Sequence, residues 1–199
     1  MSVSNPSIRE FRTLNKDIGV AIVVILALVI GFSVSQLVIN RAKMYQEPDS
    51  PFQLQYPARW TNAESLQDVL LKVEDPAADS AYKTSLTVET RELDPSAPPT
   101  MQTLVDRRVE QRSQLTAYHF LSNTETTVAG APAQELRYSY VVQPIDTPRR
   151  ASLPVVIIAR EYIVLTPTRT YYLALAAPEN EFESASARMD AILQSVKLQ

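Results

Sequence analysis

His119 is the single histidine of the 199-residue chain, and cysteine is absent. A Ser-His-Asp relay or a multi-histidine metal centre would have to turn on that one imidazole, which sits within an apparent strand and lacks the partners either chemistry needs. It reads as an ordinary strand residue. Without cysteine there is no disulfide framework, thiolate nucleophile, Cys-based zinc site or lipidated N-terminal cysteine. Glu179, Glu181 and Glu183 could offer oxygen ligands to a hard cation, but at the start of the last helical segment they suit complementing its positive end. Phosphate-binding motifs of the GxxxxGK[ST] and GxGxxG kinds are missing, and Gly130 is the only glycine after residue 31, so no glycine-rich backbone cradle exists. The carboxylates available for paired acid–base work, Glu89, Glu92, Glu125 and Glu135, all fit the solvated side of strands. No catalytic residue, cofactor ligand or metal ligand emerges, and a noncatalytic protein is expected.

Two groups of residues read instead as contact surfaces. Arg149 and Arg150 lie in a loop bounded by Pro144, Pro148 and Pro154, where they could meet lipid phosphates or an acidic partner, although a solvated loop also accounts for them. Trp60, Tyr138, Tyr140, Tyr171 and Tyr172 could line a groove for a small apolar ligand or lipid. Their alternation with aliphatic neighbours favours filling the space between sheet and helices.

The elements that would carry these residues divide sharply. Ile18–Ile39, "IGVAIVVILALVIGFSVSQLVI", passes without a charge; as a helix it would span about 33 Å, enough for a bilayer's hydrocarbon core. It is read as an uncleaved signal anchor. A removed signal peptide, cut near Ser33–Ser35, is the alternative, but it would leave Leu37, Val38 and Ile39 dangling as apolar residues. Gly31, Ser33 and Ser35 give the second half of the span a small-residue face on which another membrane helix could pack. Arg9, Arg12 and Lys16 precede the span while Arg41 and Lys43 follow it, a slight bias toward a cytoplasmic N-terminus and an extracytoplasmic C-terminal domain.

Five of the 19 basic and two of the 22 acidic residues lie in the first 43 positions, which leaves the remainder acidic by six charges. That balance argues against a nucleic-acid partner. The expected organisation is an N-terminal segment 1–17, a transmembrane helix 18–39, a short extended linker 40–51 and a folded domain 52–199. Within the domain, Phe52–Tyr56 alternates as a short strand, followed by Val69–Glu74 and Thr84–Leu93. Thr100 would cap a helix with a Met101, Leu104, Val105 and Val109 stripe, off which Arg107, Arg108 and Arg112 fall. Residues 118–128 and 133–143 would form a hairpin about Gly130, with Leu136, Tyr138, Tyr140 and Val142 on one face. A second hairpin would join 155–165 to 170–177 across "TPTR". A helix from about Asn180 to Lys197 would open on an Asn180–Glu183 capping pair and bury Phe182, Met189, Leu193 and Val196. This is an α+β arrangement: a largely antiparallel six- or seven-stranded sheet with two packing helices.

"FQLQYPARW", "TTVAGAPAQELRY", "YYLALAAPENEF" and the closing "ILQSVK" resemble the PsbP-like family over roughly Pro51–Gln199. The resemblance implies an α/β/α sandwich and a noncatalytic accessory or binding role, and it carries over no catalytic residue. By the same analogy the domain would dock on a larger membrane complex, photosynthetic or respiratory, with other membrane proteins as partners.

Overall fold

The computed structural model describes residues 15–39, 41–48, 50–63, 69–78, 80–143 and 153–198, with side chains of the first helix described over 18–32. The chain divides into two compact units, Met1–Arg41 and Ala42–Gln199.

The first unit contains helix α1, Asn15–Ile39. Ile, Val, Leu and Ala run round every side of it, and every side chain described there is exposed, from Ile18 to Phe32 at 67%. Among the described residues no helix is long and apolar enough to cross a membrane. The described side chains cover about 22 Å of helix at 1.5 Å per residue, and the span expected at 18–39 runs past them at its C-terminal end.

The second unit is built on an antiparallel sheet of seven strands in the order β3-β4-β5-β9-β8-β7-β6. These are β3 (Thr61–Asn62), β4 (Val69–Glu74), β5 (Ser85–Glu92), β6 (His119–Val128), β7 (Ala131–Val142), β8 (Val155–Leu165) and β9 (Arg169–Pro178). A small antiparallel pair, β1 (Ala42–Gln46) and β2 (Gln53–Pro57), completes the strands. Helix α2 (Met101–Arg112) lies on one face of the large sheet, and α3 (Phe182–Ser195) lies on the other with the small pair. The expected α+β class is therefore observed, with a large antiparallel sheet.

Strand alternation assigns the two cores. On the α3 side, Phe52 and Leu54 meet Val73, Leu86, Val88, Leu173 and Leu175, closed by Ala185, Met189 and Ile192 of α3. On the α2 side, Leu104 and Val105 cover Leu136, Tyr138, Ala159, Ile163 and Tyr172. Leu136, Tyr138 and Tyr140 share a face, as alternation requires. β8 and β9 are central and buried on both sides, which is why they read as nearly unbroken apolar runs.

The local signals are met at α2 and at the first hairpin. Thr100 caps α2 by accepting a hydrogen bond from the Thr103 amide at 3.2 Å. β6 and β7 are joined by Ala129 and Gly130 at φ 50° and 80°, the left-handed pair that a two-residue turn needs. Glycine takes that conformation freely; at Ala129 a Cβ must tolerate it.

Two expectations are corrected. The stretch expected as a linker, 40–51, contains β1, so the folded unit starts at Ala42 rather than 52. Tyr45 lies edge-on to Phe52 at 6.4 Å, and Lys197 bridges the far side of β2 through Gln53, so a strand pair forms where an extended spacer was read. The last helix begins at Phe182, after a 3₁₀ turn at Glu179–Glu181, and no side chain caps it. Thr84 instead donates to the Glu181 carboxylate at 3.0 Å, holding the turn against β5. Leu193 is only partly buried, and Ala185 and Ile192 share the inward stripe with Phe182 and Met189.

Candidate functional site

β8 carries an adjacent charged pair, Arg160–Glu161, inside a strand covered on both faces. Neighbours on a strand point to opposite sides, so each charge is driven into a different layer. Each must find its counter-charge there, because an unpaired buried ion is costly.

On the α2 side Glu161 is fully buried. It accepts from Arg108 Nε at 2.6 Å, from Arg112 Nε at 3.1 Å and Nη2 at 2.9 Å, and from the Tyr138 hydroxyl at 2.9 Å. Arg108 also forks onto Glu89 through both terminal nitrogens at 2.9 and 3.0 Å, and its guanidinium lies 4.4 Å above the Tyr172 ring. Two cations face two anions, and the carboxylate has no free lone pair of consequence. Burial alone would raise the Glu161 carboxyl, but Arg108 and Arg112 outweigh it and hold the group at about 2. Burial next to that carboxylate pushes the Tyr138 phenol well up. Near neutral pH Glu161 is therefore held ionised and Tyr138 protonated.

The α3 side repeats the pattern. Arg160 donates to Glu135 at 2.8 and 3.2 Å and to Asp190 of α3 at 2.6 Å, while Arg137 and Tyr162 also donate to Glu135. Burial raises the Glu135 carboxyl, and hydrogen bonds from Arg160, Arg137 and Tyr162 overcome this and bring it to about 2. Asp75 forms a third junction, accepting from Arg59 at 2.8 Å and Arg188 at 3.0 Å. Glu89 and Glu135, expected on solvated strand faces, are thus ion-paired within the fold, and Arg108, expected off the helix's buried stripe, is itself buried.

The aromatic residues expected to line one groove are divided by the sheet. Tyr138, Tyr140 and Tyr172 belong to the α2 core, whereas Trp60 and Tyr171 belong to the α3 core. Tyr171 stacks on Phe52 at 4.7 Å, and Tyr140 shares a hydrogen bond with Tyr82 at 3.2 Å. No single groove holds all five. Gly31 lies exposed on α1. The Ser33 and Ser35 side chains, and Arg149 and Arg150 entirely, fall outside the described residues. His119 is exposed on β6, and among the described residues no three acidic or histidine side chains converge as metal ligands.

Among the described residues, the large sheet also ends in an open edge. β6 borders the sheet and is exposed along almost its whole length, with Phe120 at 44% and Leu121 at 47%. Between β6 and α2 runs an open groove of about 470 Å³, lined by Val105, Val109 and Phe120 with Asp106 and Glu110. The opposite edge ends in the two-residue β3.

No family model matches the chain, and neither does any curated protein. Solved structures do. The chain is similar to the cyanobacterial PsbP protein CyanoP of Synechocystis sp. PCC 6803, at 13% identity and a TM-score of 0.57, covering 79% of this chain and 92% of that one. It is also similar to LpqN of Mycobacterium tuberculosis, described as involved in cell envelope biogenesis, at 14% identity and 0.56 over 79% and 91%. A Pseudomonas aeruginosa protein of unknown function, a putative regulator, aligns at 14% identity and 0.53 over 80% and 99%. The fold is PsbP-like. At these identities the likeness extends to the fold alone.

Proposed function

We propose that this is a noncatalytic docking module, held at a membrane by α1 and displaying its PsbP-like domain on the extracytoplasmic side to another membrane protein or complex. The observation that carries the reading is the apolar surface of α1, whose described side chains, Ile18 to Phe32, are exposed and carry no charge on any side of the helix. A helix that is hydrophobic on every side belongs in a protein core or in lipid. The buried ionisable clusters support the noncatalytic part: their charges are spent on one another, with pKa values driven away from neutrality, whereas an acid–base site needs groups poised near it. The PsbP-like fold is compatible with an accessory subunit of a photosynthetic or respiratory assembly. A crevice for an apolar ligand is less favoured, because the aromatic rings that would line it are buried on opposite faces of the sheet.

Extraction of native membranes in a mild detergent tests the proposal. The chain is expected to migrate in native separation with a stoichiometric membrane-protein companion. Migration as a bare monomer, at every detergent strength that keeps other complexes whole, would remove the docking role.

A further inference from the structure

We infer that the β6 edge is the docking site and that it takes an extended partner segment with Lys or Arg at every second position; this deepens, and rests on, the docking reading above. An open edge is a row of backbone donors and acceptors ready to pair with another strand. The register says which ones face away from β7. Val128 and Ala131 flank the two-residue turn and close it as a hydrogen-bonded pair, so alternation makes 127/132, 125/134 and 123/136 the non-bonded pairs. Pro132, which has no amide to give, falls at one of these. The N–H and C=O groups of Asn123, Glu125 and Thr127 therefore point away from β7 and out of the sheet.

The usual defences of an edge are sparse. β6 is ten residues long and contains no Lys, Arg or Pro, with a single irregularity between Phe120 and Ser122. Its charge is Glu125 alone. On the α2 side the added strand would meet a groove with an apolar floor, Val105, Val109 and Phe120, and two carboxylates, Asp106 and Glu110, that form no ion pair among the described residues. A lysine or arginine there lays its aliphatic stem on the floor and its charge on the acids. On the other side Ser122, Thr124 and Thr126 suit β-branched or hydroxyl residues as cross-strand neighbours. A second copy of β6 would bring the same acids together, so charge favours a basic partner over self-pairing.

The full chain in neutral detergent can be titrated with two synthetic peptides, acetyl-(Lys-Thr)₄-amide and its Glu-Thr counterpart, while amide hydrogen exchange is followed along β6. The Lys-Thr peptide is expected to slow exchange at Asn123, Glu125 and Thr127, and the Glu-Thr peptide to leave them unchanged. Glu125→Pro removes an outward amide without breaking a bond to β7 and should abolish the protection. Asp106→Lys with Glu110→Lys, both exposed on α2, should weaken Lys-Thr binding by about tenfold or more without altering the thermal midpoint. Equal binding of both peptides, or protection unchanged by Glu125→Pro, would overturn the inference. Protection without peptide in a chain that sediments as a dimer would also overturn it, in favour of self-pairing. If neither peptide binds while the chain still migrates with a membrane companion, the edge is wrong and the docking reading stands.

Discussion

Glu161→Gln should cost the folded domain about 3–5 kcal/mol, measured as a fall in denaturant midpoint with an unchanged slope. Four hydrogen bonds from three side chains end on this carboxylate, and its removal leaves Arg108 and Arg112 sharing only Glu89 in a buried layer. A buried charge without a partner is far more costly than a lost hydrogen bond. The pair need not be optimal for stability: Arg108→Leu together with Glu161→Leu should recover much of the loss, since apolar residues of similar volume often replace a buried pair at little cost. Acid stability follows from the same groups. Glu161 and Glu135 are held at about 2 in the fold, against about 4.3 in an unfolded chain. Lowered carboxyl values stabilise the fold above the unfolded value, and that contribution is lost as pH falls from about 4.5 toward 2. For Glu161 it is on the order of 3 kcal/mol. The thermal midpoint should therefore be level above pH 5 and fall steeply below 4.5, and Glu161→Gln should shallow that fall. A loss under 1 kcal/mol, or an acid limb unaltered by the substitution, would contradict the charge accounting.

Val24→Arg combined with Leu28→Arg should release the chain from membranes. Each arginine near the centre of a span costs about 2.5–3.5 kcal/mol on insertion scales, and two on successive turns defeat the gain from the surrounding Ile, Val and Leu residues. After an alkaline carbonate wash, wild-type chain is expected in the pellet and the double variant in the supernatant. Retention of the double variant would contradict an anchoring role for α1, and so would a wild-type mature chain whose mass begins after Ser35.

Periodicity carried most of the strand positions, the Thr100 cap and the turn at Gly130, because each is set by contacts within a few residues. β1 was hidden. Its five residues include Lys43 and Gln46, stand beside Pro48 and carry no alternation of their own, and they become a strand only against β2. The two-sided placement of the aromatics is legible in the sequence, since Tyr171 and Tyr172 are adjacent and on a strand must face opposite ways. The ion clusters had one visible sign, the charged pair Arg160–Glu161 within the apolar run of β8. The partners of that pair on α2, β7 and α3 lie 23 to 53 residues away in sequence, and no local pattern names them. The open edge required the strand order, which places β6 last.

A photo-activated cross-linker placed at Asn123 of the full chain in native membranes tests the central claim most directly. A single adduct of defined mass with a membrane protein, absent when the same group is placed at exposed Gln194 on α3, is the predicted result. No adduct at Asn123, or indistinguishable smears from both positions, would contradict a domain displayed for docking through β6.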